Sequence, residues 1–499
     1  MNPMDFRSES LDDEAVAYSE KEIEIDVIDV LVPCRKYAIS YKVAELGKVS
    51  LTSEFLLRLV YTVEGVSEAD VAAYFGFNDA EVAFIVNEMD SLGFLDRRQG
   101  ELWLSLAGRE LFKYGSDEPE IYSIEARSEQ YCFDLISFAP AEADRLSSFE
   151  AALPELKGTP EKIAVGSKNV IAAFKRYFDS VVRRTLLPAS RQTLCTVDLV
   201  TPLKRYADAT TMLVRAKADS PGIVEPDFSD RWSGFDLDDR ADIVNSAAML
   251  LKTGRVFPNL LDAKAFNQLA MLAPEIMADF TKAGDVRPDA LLRETTRRKG
   301  QLRIDRPTTL IVGTLFTDGN ARRLWQALEY SARRVPHSLL PEAFLWQVPI
   351  IPYWGTTRRL LKVSEAISQS AADDETQEPM FPIGVVAGSP PRHLGVAFDD
   401  VISSRGRTLG LGSLELLLVP GRIAAVLIHA AFGEGESYPV PLGILSFDPN
   451  VVERATGLMR DLALPAKTSK SSRSSQELEA IVDRLLSATP ESDAPESDG

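Results

Sequence analysis

The stretch that most constrains this 499-residue chain runs from about residue 50 to 115, where helix signals and a hairpin signal follow one another closely. Thr52 and Ser53 offer hydroxyl caps, and apolar residues follow at Phe55, Leu56, Leu59, Val60 and Val63, the spacing of one helix face. Gly65 ends that helix. Ser67, followed by Glu68 and Asp70, opens a second short helix holding Val71, Ala72 and Phe75. The turn Gly76-Phe77-Asn78-Asp79 leads into a third helix from about Ala80 to Leu92, with Val82, Ile85, Val86 and Met89 on one side. Phe94 to Leu106 then reads as a strand, a polar tip containing Gly100, and a return strand, with a last helical turn from Ala107 to Phe112.

Three helices and a hairpin in this order resemble the winged-helix family. The resemblance implies a fold for residues 50–115, and a third helix that in many members enters the DNA major groove. It does not by itself imply a function. Here the third helix carries Asp79, Glu81, Glu88 and Asp90 and no Lys or Arg. Phosphate contacts dominate DNA affinity, so these carboxylates oppose groove entry. Arg97 and Arg98 at the wing tip are the module's candidates for backbone contact. Protein contact or an architectural role, wing-led non-specific DNA contact, and sequence-specific recognition are the three readings. The charge pattern favours the first.

Hydrophobic residues make up 45% of the whole chain, enough for more than one buried core. Fifty-five Lys and Arg against 74 Asp and Glu give a net charge of -19, which repels nucleic acid outside local basic patches. Cys34, Cys132 and Cys195 form no CxxC pair and no disulfide framework. A reducing, cytoplasmic setting is expected. The acidic first residues lack a signal-peptide core, and no apolar run reaches the roughly 18 residues of a membrane span.

The fold class read from these patterns is a multidomain α/β protein. Residues 1–22 are an acidic, disordered N-terminus, and 23–116 a winged-helix domain preceded by one or two strands at 26–46. Residues 117–306 form a mixed α/β middle region that includes a strand pair in 192–218. Residues 307–463 form an α/β domain opening on a strand, turn and helix from Thr308, with later strands that include 394–402. Residues 464–499 are a largely disordered tail with room for one helix at 475–487.

Two basic clusters are candidates for nucleic-acid phosphates. One contains Lys168, Lys175, Arg176, Arg183 and Arg184, and the other Arg293, Arg297, Arg298, Lys299, Arg303 and Arg306. A solvated face or ion pairing to the chain's own acids is the simpler reading of both. No phosphate loop or GxGxxG is present, and Thr317 to Asn320 reads as a helix cap. Three histidines, His337, His393 and His429, leave no multi-histidine metal site. His429 lies in an apolar run and reads as a core residue.

The segment from His393 to Asp400 resembles the HxKxxxxD motif of the phospholipase D family, with Gly395 in place of the Lys. Gly412-Ser413 is similar to that family's GS pair at a longer spacing. The resemblance implies His393 as nucleophile, with Asp400 beside it as the alternative catalytic pair. The missing Lys removes the charge that would stabilise a phosphoryl transition state. Arg392, Arg405 and Arg407 are the nearby cations that could substitute, and a second complete motif is absent.

These readings combine into an expected non-enzymatic, cytoplasmic accessory or scaffold subunit. It would bind protein partners, touch DNA weakly and non-specifically, and need no cofactor, metal or membrane. Its composition is similar to that of large accessory subunits of bacterial phage-defence operons, an analogy at the level of fold. The alternatives are a degenerate phospholipase D-like phosphodiesterase or nuclease, and a winged-helix regulator with a C-terminal sensor domain.

Overall fold

A computed structural model of the chain describes residues 21–46, 50–114, 116–119, 122–142, 144–159, 166–182, 192–297, 300–334, 341–370, 379–470 and 473–487. The expected disorder of the N-terminus and of the last residues therefore lies mostly outside the described residues. The chain is mixed α/β, with several sheets. Among the described residues no helix is long and apolar enough to cross a membrane.

Glu22–Leu46 is one 25-residue strand, β1. A register shift between Glu24 and Asp26 changes which side chains point to which face. Ile23, Ile25, Ile28, Val30 and Val32 enter one core, and Val27 and Leu31 another. Its first half is thus apolar on both faces, as befits a strand buried between layers.

After β1 the chain makes a separate small unit. Helix α1 (Leu51–Thr62) is capped by Ser50 rather than by the expected Thr52 or Ser53. The two-residue strand β2 (Val66–Ser67) leads into α2 (Glu68–Phe75), which is capped by Ser67 and ends at Gly76 with φ 68°. Asn78 and Glu81 form a reciprocal capping box on α3 (Asp79–Ser91). Strands β3 (Leu95–Arg98) and β4 (Glu101–Leu104) form a hairpin about Gln99 and Gly100, both at positive φ, and α4 (Leu106–Glu110) follows. The small sheet runs β2-β4-β3, and Leu56, Val60, Val82, Val86, Met89 and Leu102 fill its core.

The strand that precedes this unit does not pair with it. β1 pairs antiparallel with β5 (Tyr122–Asp134) from Cys34 to Leu46. Helix α5 (Gly166–Val182) lays Val170, Phe174 and Phe178 against Tyr37, Ile39 and Tyr41 of β1. Residues 192–217 form one 26-residue strand, β6, instead of the expected pair, and β7 (Val224–Asp227) closes this sheet in the order β5-β1-β6-β7. β6 stays continuous because β1 beside it is equally long, and register shifts absorb the mismatch in twist.

Helices α6 (Ala241–Thr253), α7 (Leu260–Leu272) and α8 (Pro288–Arg297), with a small hairpin of β8 (Thr281–Lys282) and β9 (Asp285–Val286), lead to the larger sheet. That sheet is built from β10 (Thr308–Val312), β11 (Ala343–Gln347), β12 (Phe381–Val386), β13 (Asp400–Ser403), β14 (Leu414–Val419), β15 (Ile423–Ala430), β16 (Val440–Ser446) and β17 (Thr468–Lys470). Its order is β10-β16-β15-β14-β11-β12-β13-β17, with β11, β12 and β13 mutually parallel. On one face lie α6, α7, α8, α12 (Pro449–Ala463) and α13 (Ser475–Ser487). On the other lie α9 (Asp318–Ala332), α10 (Arg358–Gln369) and the single turn α11 (Leu394–Ala397).

Two expectations for this region are corrected. Residues 394–402 are not one strand: Leu394 donates to the Pro391 carbonyl, starting the turn α11, and the strand begins only at Asp400. The tail is structured through residue 487 apart from 471–472, which lie outside the described residues. β17 pairs with β13, and Leu478, Val482, Leu485 and Leu486 of α13 are buried, because their spacing gives one apolar helix face.

Candidate functional site

In open α/β sheets ligands ordinarily bind outside the carboxyl ends of the parallel strands. Here β1 occupies that edge. Thr314, just past β10, donates its N–H to the Ile25 carbonyl, and Asp29 donates its N–H to the Thr356 carbonyl beyond β11. A Cβ on Gly313 (φ +85°) would sit 2.4 Å from the Glu24 carbonyl oxygen, so only glycine admits this crossing.

Beneath β1 the edge is polar. Glu415 of β14 accepts from Trp346 Nε1 at 3.0 Å, Trp354 Nε1 at 3.0 Å and His429 Nε2 at 2.6 Å, and all four residues are buried. Among the described residues His429 Nδ1 is buried without a partner. Asp26 of β1 accepts from Tyr438 Oη, Thr314 Oγ1 and the Val27 N–H at 3.0, 3.0 and 2.7 Å. Burial raises its carboxyl to about 6, against the opposing pull of those hydrogen bonds and of His429. Asp29 accepts from the N–H and Nε of Arg358 at 2.7 and 2.8 Å, and Arg358 reaches on to Glu150 at 3.3 Å. Asp29 thereby sits at the amino terminus of α10, where a carboxylate is favoured. The arrangement pins β1 onto the sheet edge and fills the usual ligand crevice with the chain's own side chains.

His393 and Asp400 lie apart on this framework. His393 Nε2 is 3.0 Å from the Trp354 carbonyl oxygen, in the loop beyond the carboxyl end of β11, and its ring meets Phe149 edge-on. Burial pushes its imidazole pKa down, which favours the neutral ring. Asp400 is the first residue of β13, hence at the opposite, amino end of the parallel strands, and it pairs with Arg473 of the tail. His337 lies outside the described residues. Among the described residues no group of three or more His, Cys, Asp and Glu is placed to hold a metal ion.

The candidate phosphate contacts fall on three separate elements. Arg97 is held by Asn87 Oδ1 at 2.7 Å and Glu68 at 3.4 Å, and Arg98 by Asp96 at 2.9 Å. Lys175 and Arg176 are exposed on α5, where Arg176 pairs with Asp239 and lies over the Tyr177 ring at 5.3 Å. Arg297 is exposed at the end of α8. Arg183, Arg184, Arg298 and Lys299 lie outside the described residues.

The outward surface of α3 is the most distinctive exposed feature. Ala80, Phe84, Asn87 and Ser91 share one exposed helix face, and Phe84 is 72% exposed. Asp79 and Asp90 flank that stripe and make no side-chain bond among the described residues, and Glu81 lies on its other side. Tyr74 of the neighbouring α2 is 70% exposed. The sequence showed the acids of this face but not the free aromatic. A signal for the buried edge is also present, two aspartates inside the apolar run of β1, but nothing local in the sequence joins them to the distant Thr314, Arg358 and Tyr438. None of the protein-family models, curated proteins or solved structures compared with this chain matches it.

Proposed function

We propose that the chain is a non-enzymatic scaffold subunit. In this reading residues 51–112 are a winged-helix module that contacts protein, within an assembly that touches DNA only weakly. The observation that carries this reading is the outward face of α3: a solvent-exposed Phe84 between Asp79, Glu81 and Asp90, on a helix with no basic residue of its own, where the neighbouring guanidinium of Arg97 on the wing is held by Asn87 and Glu68. Duplex DNA meets such a surface with charge repulsion and nothing to accept the ring. A basic, apolar segment of a partner protein complements both features, and an exposed aromatic is a typical interface anchor. The blocked carboxyl edge of the larger sheet supports the same reading. The placement of His393 and Asp400 at opposite ends of the strands counts against the alternative phosphodiesterase.

The test is a pair of salt titrations of the full chain with random and selected DNA duplexes. Binding is expected to be weak, steeply salt-dependent and without sequence preference, and Arg97→Ala with Arg98→Ala should weaken it uniformly. Discrimination between duplexes of about a thousandfold or more would overturn the reading in favour of a sequence-specific regulator.

A further inference from the structure

Two thiols meet across β1 and β5. The register sets Cys34 opposite Asp134 and Lys36 opposite Cys132, which makes Cys34 and Cys132 diagonal neighbours on one face of the sheet. Cys34 is fully buried, its S–H donates to the Val32 carbonyl at 3.2 Å, and Cys132 packs against the same core. Cys132 is half-buried and forms part of the wall of a cavity of ≈ 390 Å³ that also exposes Asp208, Arg231 and Trp232. Small solutes can therefore reach Cys132, with Cys34 immediately behind it. The carboxylate of Asp134 is already committed to the backbone N–H groups of Ile136, Ser137, Phe138 and Ala139. Asp208 is offset by Arg231 at 3.6 Å.

We propose that Cys132 is a modification site: a peroxide-reactive thiol whose oxidised form is resolved by Cys34 into a disulfide joining β1 to β5. The neighbouring thiol and the Lys36 ammonium draw the Cys132 thiol down, while Cys132 and burial push Cys34 up, which separates attacking from resolving sulfur. In the first step the Cys132 thiolate attacks one oxygen of hydrogen peroxide, the O–O bond breaks, hydroxide leaves, and a sulfenic acid forms. In the second the Cys34 sulfur attacks the Cys132 sulfur, the S–O bond breaks, and water departs with the Cys34 proton. Two thiols lose two electrons, and peroxide is reduced to water. The bond would close the loop that contains the α1–α4 unit, tying its root.

Cys195, exposed on β6, supplies the internal comparison. The full chain is treated with hydrogen peroxide, the remaining thiols are alkylated, and peptides are mapped under non-reducing conditions. The expected result is a Cys34–Cys132 linked peptide, with a mass loss of about 2 Da, formed at least about ten times faster than Cys195 is oxidised. In Cys34→Ser the reaction should stop at a Cys132 sulfenic acid captured by dimedone. In Cys132→Ser, Cys34 should stay reduced. Oxidation of Cys132 no faster than Cys195, or a Cys132 sulfenic or sulfinic acid that persists in the wild type without the link, would overturn the proposal.

Discussion

Asp26 shows most clearly how this structure uses single residues. It is an acid in an apolar strand, buried because three donors converge on it from Val27, Thr314 and Tyr438. Its folded pKa of about 6 lies above the unfolded value of 3.8. The folded state therefore binds the proton more tightly, so Asp26 adds stability as pH falls below about 6, fully so below 3.8, and loses it as pH rises through 6. Asp26→Asn keeps the shape and one acceptor, and the Tyr438 hydroxyl can turn to accept. The variant should be more stable than wild type at pH 7.5 by on the order of 1–3 kcal/mol in guanidinium unfolding. It should also lose the wild type's gain in stability between pH 7 and 5. A wild type whose unfolding midpoint is flat over that range would contradict the assignment. Gly313→Ala should cost on the order of 2 kcal/mol or more, since the added methyl meets the Glu24 carbonyl at a backbone angle that disfavours side chains.

At the scale of elements, legibility followed local periodicity. The capped helices between residues 51 and 91 and the Arg98-Gln99-Gly100 turn lie close to where spacing and caps put them, because their signals are contained within a few residues. Strands β14, β15 and β16 were legible as apolar runs for the same reason. β6 reads from the sequence as two strands, at TLCTVDLV and TTMLVRAKA. Its continuity is imposed by β1, which a local reading cannot see. The buried edge joins residues up to 412 positions apart, as between Asp26 and Tyr438, and no local pattern links them. In the tail, Ser, Lys and Glu surround Leu478, Val482, Leu485 and Leu486, so the helix was legible but its burial was not. Leu478→Ala should therefore lower unfolding free energy by about 2–5 kcal/mol, as for a core leucine. A change under about 0.5 kcal/mol, typical of an exposed site, would show that α13 does not dock.

For the whole molecule, β1 is the organiser. Its first half covers the carboxyl edge of the larger sheet, its second half carries β5, β6 and α5, and the α1–α4 unit emerges between β1 and β5. The carboxyl edge of the larger sheet is covered by β1, while the α3 face is exposed. In the proposed function, His393→Ala should lower stability, since the ring is buried against Phe149, yet leave partner binding by the folded chain unchanged, read by circular dichroism and by co-purification from the native cell. Phe84→Ala should leave folding unchanged and remove the partner. The most direct measurement places a photocrosslinking benzoylphenylalanine at Phe84 of the full chain in its native cell and identifies what becomes attached on irradiation. The proposal requires a discrete protein, joined through a basic, apolar segment, with the yield lost when Asp79 and Asp90 are both changed to Lys. Attachment to nucleic acid at that position, or no adduct from a correctly folded chain, would contradict it.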